Sequence, residues 1–236
     1  MKNDEKHDIM NRVVRNMNES FVCMCCERRH PVEKAYITNK RVGICQTCWE
    51  KIEQVPPGSP FAGTDSTRVL ISPFFYTGPL RSAVLQYKFH GKWLFGEIFS
   101  RLILDYIHDF DLEMQYDAVA SIPLSRKRLW ERGYNQAWQI AQPVAAALEL
   151  PFLDNGIFRR RHTLAQSTLR GRERYDNVRG AFIANPREIE NKNIILVDDV
   201  FTYGATIESC AKELKDKGAK DILALTLAVV PRTYKK

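Results

Sequence analysis

The sequence predicts an α/β fold: a mostly parallel sheet flanked by helices, preceded by a small four-cysteine module. Three observations predict it. From about residue 116 onward, short apolar runs alternate with helical stretches, the rhythm of strand–helix–strand units. Residues 194–197 are four consecutive apolar side chains, as a strand covered on both faces requires. Near the N-terminus, Cys23/Cys26 and Cys45/Cys48 form two CxxC hooks.

Taken in order, residues 1–19 are polar and read as a short helix or an unstructured lead. Residues 20–53 form the cysteine module. Two hooks with 18 residues between them suit one tetrahedral Zn²⁺, each hook giving two thiolates. A disulfide framework fits poorly, because the polar start MKNDEKHDIM shows no export signal. A redox CxxC fits poorly as well, since no βαβ pattern surrounds it. Four cysteines close the shell, so the site is structural, with Cys25 a spare thiol and His30 outside the set. Such a short module needs the metal to hold it together.

Residues 54–68 are rich in Pro, Gly and Ser and read as a linker. A strand is expected at 69–76, confined to an edge by Pro73. Helices are expected at 79–89 and 93–110, and a short apolar strand at 116–122. An Ala-rich helix follows at 134–148, then extended chain at 152–158 and 181–184 on either side of an Arg-rich stretch, 159–179. The last elements are the strand 194–197, a helix 205–217 closed by Gly218, and a strand 222–230.

The chain has 236 residues, 44% apolar and 11% aromatic, enough for a sizeable core in one or two domains. No apolar run approaches the roughly 18 residues of a membrane helix, so a soluble, cytoplasmic protein is expected. The net charge of +7 is concentrated. Residues 121–180 hold eleven Lys and Arg against five acids, and ten of the eleven are Arg. Arginine suits bidentate phosphate contacts, so phosphoesters or a polyanion are the expected partners.

The most informative segment is 194–206. Behind the apolar strand come Asp198 and Asp199, then Thr202, Tyr203, Gly204, Ala205 and Thr206 leading into a helix. Backbone amides of such a loop and the positive helix end form a seat for a phosphate dianion. The acids would repel that phosphate, so they face a sugar diol or a cation. A phosphorylated sugar is the ligand implied. An Asp-Asp helix cap explains the acids but leaves Thr-x-Gly-x-Thr without a reason. The loop is neither a Walker A motif nor a GxGxxG fingerprint.

Residues 194–206 resemble the phosphoribosyl pyrophosphate (PRPP) signature of type I phosphoribosyltransferases. Ser121 to Arg126, Arg132 to Ala137, Tyr87 to Gly91, and Arg159, Thr163, Gln166, Arg174, Asn177 and Val178 are similar to the ComF family of competence proteins, as is the four-cysteine module. The resemblance spans about residues 20–232. It implies a type I phosphoribosyltransferase-like domain over 69–236. Asp198 and Asp199 would be the catalytic acids on the ribose hydroxyls, with 202–206 cradling the 5′-phosphate. Ser125, Arg126, Arg132, Arg159, Arg161 and Arg174 would face pyrophosphate or DNA, with Mg²⁺ bridging pyrophosphate and ribose. Residues 159–179 would be a mobile loop over the site. Members of the family often carry further Cys pairs, whereas this chain has no cysteine between Cys48 and Cys210, so one zinc is expected.

Two functions remain open from the sequence. One is a PRPP-binding protein of natural transformation that binds single-stranded DNA, with a competence helicase as partner and the inner face of the membrane reached through partners. The other is a metabolic phosphoribosyltransferase that transfers ribose 5-phosphate to a nucleobase. No Ser/His or Cys/His constellation is present, so catalysis would rest on positioning and electrostatics. His162 is a possible proton donor, and Cys210 reads as core. Phe74, Phe75, Tyr87 and Phe89 are equally eligible as core or as a base pocket.

Overall fold

The computed structural model describes residues 20–39, 41–160 and 178–231. Its N-terminal module is a four-stranded sheet of β1 (Ser20–Cys23), β2 (Arg29–Pro31), β3 (Ala35–Thr38) and β4 (Val42–Cys45), in the order β2-β1-β4-β3. The short helix α1 (Gln46–Trp49) follows β4 directly. Each CxxC hook therefore sits where a strand turns, Cys23 closing β1 and Cys45 closing β4.

This module does not stand apart. Phe21, Met24 and Ile44 are fully buried in the same apolar cluster as Leu80, Val84 and Phe99 of the following domain. Trp49 stacks on Tyr36 with ring centroids 3.6 Å apart and meets the edge of Phe74 at 5.7 Å. Asn39 Nδ2 donates to Glu97 Oε2 at 2.7 Å.

Residues 54–68, expected as a linker, contain β5 (Phe61–Ala62), which pairs antiparallel with β6 (Val69–Ile71) at the sheet edge. Val55 is buried there, its N–H donating to Pro73 O at 2.8 Å. Pro and Gly announce turns in a sequence, but a two-residue strand between them leaves no periodic trace. The single strand expected at 69–76 is two pieces, β6 and β7 (Phe74–Phe75), separated at Ser72-Pro73, where proline has no N–H for the ladder.

Next come the helices α2 (Gly78–Phe89) and α3 (Phe95–Ile107), strand β8 (Ala118–Ser121), and helices α4 (Arg126–Arg132) and α5 (Gln136–Ala147). The short α4 has no counterpart among the expected elements, because seven residues with a mixed Arg/Trp pattern show no apolar face. Strands β9 (Ile157–Arg159) and β10 (Phe182–Ala184) form a separate antiparallel pair. After α6 (Pro186–Ile189), the chain enters β11 (Asn193–Phe201), α7 (Ala205–Asp216) and β12 (Asp221–Val229).

The main sheet has the order β5-β6-β12-β11-β8, with β6, β12, β11 and β8 parallel. Along β11, Ile195 and Val197 face one apolar cluster while Ile194 and Leu196 face the other. Helices α3 and α5 cover the first face and α7 the second. That two-sided cover is why the strand is apolar without alternation. Gly218, at φ +98, ends the helical run after α7, a backbone angle that favours glycine. Among the described residues, no helix is long and apolar enough to cross a membrane.

Candidate functional site

Strand β11 runs four residues past the apolar stretch expected from sequence, to Phe201, so both acids lie within it rather than behind it. Its two neighbours end differently. Pairing with β8 stops at Val197↔Ser121, while pairing with β12 continues through Asp198↔Thr226 to Phe201↔Val229. On the β8 side the chain leaves at Pro123 after one more bond, Ile122 N–H to Val197 O at 2.9 Å. A cleft therefore opens at the carboxyl ends of β8 and β11, where open parallel sheets present ligands.

Asp198 is half-buried at this cleft, and its Oδ1 accepts from Asp199 N at 2.9 Å. Burial pushes its carboxyl up to about 7, the neighbouring Asp199 adds to the rise, and Lys88 and Arg159 oppose it. Asp199 is buried and carries an ion pair: Lys88 Nζ lies 2.7 Å from its Oδ1. Lys88 comes from the last turn of α2. Its place was not readable from sequence, where a lysine ending a helix reads as a solvated cap.

The loop 202–206 joins β11 to α7 through Gly204, whose φ is +77. A Cβ there would meet Phe201 Cζ at 2.8 Å and Thr64 Cγ2 at 3.1 Å, so both angle and space require glycine. Gly204, at the N-cap of α7, brings no side chain to cap the helix. The Glu208 carboxylate accepts from Ser66 N and Ser66 Oγ at 2.9 and 2.7 Å, fastening residues 64–67 beside the helix start.

After β8, Ser125 is buried and caps α4, its Oγ accepting from Arg128 N at 3.4 Å. Arg126 is exposed on the first turn of α4. Arg132 is half-buried at its end, donating to Gln136 Oε1 at 2.9 Å, with its guanidinium 5.2 Å from the centroid of the Phe89 ring. Tyr87 and Tyr134 tie α2 to the start of α5, Tyr87 Oη donating to Gln136 O at 2.9 Å and Tyr134 Oη to Tyr87 O. Arg159, on β9, lies over the Phe182 ring at 5.1 Å and is close enough for its charge to act on Asp198. Arg161, Arg174 and His162, with most of the Arg-rich stretch, lie outside the described residues. Cys210 is fully buried against α7's neighbours, as its core reading requires, and burial pushes its thiol up.

In the N-terminal module, the Sγ atoms of Cys23, Cys26, Cys45 and Cys48 all lie within 4.8 Å of one another. Tetrahedral Zn–S bonds of about 2.3 Å put sulfurs about 3.8 Å apart, so this donor set could hold one such ion. Cys45 N–H points at Cys23 Sγ at 3.4 Å, and His30 Nε2 lies 3.4 Å from Cys26 Sγ, beside the cluster rather than in it. Cys25 is buried with its thiol hydrogen-bonded to Cys23, which pulls the Cys23 thiol down to about 3.

This sheet, with paired acids and a glycine loop at the end of one inner strand, is a type I phosphoribosyltransferase-like fold carrying an N-terminal four-cysteine module. The phosphoribosyl transferase domain family matches residues 135–236. Competence protein F of Haemophilus influenzae is 31% identical over 229 residues, covering 89% of this chain and 97% of that protein. DNA utilization protein YhgH of Salmonella typhimurium is 28% identical over 207 residues, 85% of this chain and 87% of that one. Among solved structures, a purine phosphoribosyltransferase from Pyrococcus horikoshii aligns over 61% of this chain and 78% of its own, at 18% identity and a TM-score of 0.33. The chain belongs to the ComF family of phosphoribosyltransferase-like competence proteins.

Proposed function

We propose that this protein binds PRPP with Mg²⁺ at the carboxyl ends of β8 and β11 and acts in DNA uptake during natural transformation. The observation that carries the reading is the run from Asp198 and Asp199 through the glycine turn at Gly204 into α7. Two carboxylates accept hydrogen bonds from vicinal hydroxyls, and the amides at the start of α7 with Thr202 and Thr206 suit a terminal phosphate. Oxygen donors of this kind also suit Mg²⁺, which would neutralise pyrophosphate charge. Ser125, Arg126, Arg132 and Arg159 are the pyrophosphate or nucleic-acid contacts in this reading, and Arg161 and Arg174 take the same role from sequence alone. Zinc on the four cysteines is structural.

The competence role rests on the names of the relatives, Competence protein F and DNA utilization protein. Exposed Arg126 and Trp130 on α4 suit single-stranded DNA, with phosphate contacts from the first and stacking from the second. The working place is the cytoplasm, with a competence helicase as the partner. The match to a phosphoribosyl transferase domain favours a second reading, transfer to a nucleobase. There a ring nitrogen forms the C1′–N bond as the C1′–O bond breaks, pyrophosphate leaves with the electron pair, and the nitrogen's proton passes to water.

The test is thermal: PRPP with Mg²⁺ raises the melting temperature of the wild type, and Asp198→Asn with Asp199→Asn removes the rise. No shift in the wild type sinks the PRPP reading. Pyrophosphate release across a panel of nucleobases then separates the two functions.

A further inference from the structure

Phe74, Phe75, Tyr87 and Phe89 are indistinguishable in sequence as core or ligand contacts, and their placement separates them. Phe74 and Tyr87 are buried in the main cluster. Phe75 is half-buried against the edge of Phe61, with centroids 6.4 Å apart. Phe89 is 63% exposed, although it ends a helix whose other aromatic is core. A single exposed ring is ordinary on a protein surface, so exposure by itself decides nothing.

Three placements do decide. Phe89 directly follows Lys88, whose ammonium reaches Asp199, so the ring lies about 100° around the helix from a side chain planted in the acidic cleft. The Arg132 guanidinium sits 5.2 Å from the Phe89 centroid and is itself held by Gln136 Oε1 at 2.9 Å. That contact orders a cation against the ring and fixes its orientation. Finally, Trp93, shortly after α2 ends, is 55% exposed and supplies a second aromatic face on the same stretch of chain.

We propose that Phe89, backed by Arg132, is a stacking platform for a nucleobase. A flat, π-rich ligand suits an ordered ring with a cation behind it, and sequence-tolerant base stacking on aromatic side chains is general for single strands. The platform's place beside a bound ribose rests on the PRPP reading, while the stacking itself does not. The base can come from a free nucleobase acceptor or from a single strand of DNA, and the two sources give different results.

In the first arm, full-length protein is titrated with oligodeoxythymidylate and with an abasic strand of equal length, by fluorescence anisotropy. In the second, free nucleobases are added to protein saturated with PRPP and Mg²⁺, and the further rise in melting temperature is read. Variants are Phe89→Ala, Phe89→Leu, which keeps bulk without the π-face, and Phe89→Trp. If the base comes from a strand, Phe89→Ala and Phe89→Leu weaken binding of the base-bearing strand by about 5- to 150-fold, the worth of one base–aromatic stack, and leave the abasic strand unchanged. If it is a free acceptor, only the second arm responds. Phe89→Trp retains binding in whichever arm responds.

Base-dependent binding that is equal in wild type, Phe89→Ala and Phe89→Leu overturns the platform, as does its absence from the wild type in both arms. A wild type that shows no PRPP shift but loses base binding in Phe89→Ala supports the platform and sinks the PRPP reading alone.

Discussion

Lys88 Nζ stands 2.7 Å from Asp199 Oδ1, a contact between the last turn of α2 and the carboxyl end of β11. It puts a cation next to two adjacent carboxylates, one buried and one half-buried. Without it the pair would carry uncompensated negative charge in a cleft only partly open to water. Breaking a fully buried pair costs about 3–5 kcal/mol, and with Lys88 one-fifth exposed, Lys88→Met should cost about 2 kcal/mol. Protonation of Asp198 relieves the charge, so the loss is larger at about pH 8.5 than at about pH 5.5. Urea unfolding at the two values checks this, and an equal loss at both contradicts it.

If Asp198 holds the ligand, its raised carboxyl should make binding proton-linked. Its folded value of about 7 exceeds the unfolded value of about 3.9. The ionised form is therefore disfavoured by folding. The contribution of this group to stability is fully present below about pH 4 and is lost as pH rises through about 7. A ligand that needs the carboxylate, such as a ribose diol or Mg²⁺, must displace the proton. PRPP affinity should rise up to tenfold per pH unit below about 7 and level off above it. Calorimetry in buffers of different ionisation enthalpy should show proton release at about pH 6 and almost none at about pH 8.5. Equal proton release at both values would contradict the linkage.

Gly204 is required twice, by φ +77 and by the 2.8 Å approach a Cβ would make to Phe201 Cζ. Gly204→Ala should cost about 1–2 kcal/mol for the left-handed backbone, with more for the clash. Adding Phe201→Leu to that variant relieves the clash but not the backbone term, so it recovers only part of the PRPP-induced melting shift. A Gly204→Ala protein with wild-type stability and an undiminished PRPP shift would show that the loop does not hold this geometry.

The cysteine module should bind one zinc per chain, measured by metal analysis and by dye-detected release with a thiol-blocking mercurial. Cys48→Ser should lose the metal. Cys25→Ser should keep it, because Cys25 lies outside the four-sulfur cluster. Phe21, Met24 and Ile44 share one core with α2 and α3, so removing the metal should lower the melting temperature of the whole chain in a single transition. A separate low-temperature transition for the module would contradict that shared core.

The inner strands and long helices were legible because burial imposes a pattern that sequence displays. Ile194 to Val197 are apolar on both sides of the strand since helices cover both faces. The acids and the Gly204 turn stand out in the sequence as residue types, but the length of β11 does not, since its register with β12 continues under Asp198 where hydrophobicity stops. Lys88 was not legible because its meaning lies in a partner on a distant strand. Phe89 and Tyr87 lie two residues apart with similar side chains, yet one is exposed and the other buried. Helix rotation decides which, and the apolar spacing of α2 alone does not fix that rotation.

Arg126 is exposed and Arg132 half-buried on α4, opposite ends of one short helix that also carries Trp130 at 88% exposure. If this face meets single-stranded DNA, its arginines displace counterions from phosphates. The slope of log affinity against log salt is then about −0.7 for each phosphate neutralised. Arg126→Ala should flatten the slope by about that amount and weaken binding at low salt without changing base preference. Trp130→Ala should act oppositely, lowering affinity with the salt slope intact, because stacking releases no counterions. Arg132 differs again: its guanidinium is already engaged with Gln136 and the Phe89 ring, so Arg132→Ala should disturb base-dependent binding together with charge. Binding that is insensitive to salt, or equal slopes in wild type and Arg126→Ala, would remove α4 from the nucleic-acid surface and leave its arginines to pyrophosphate.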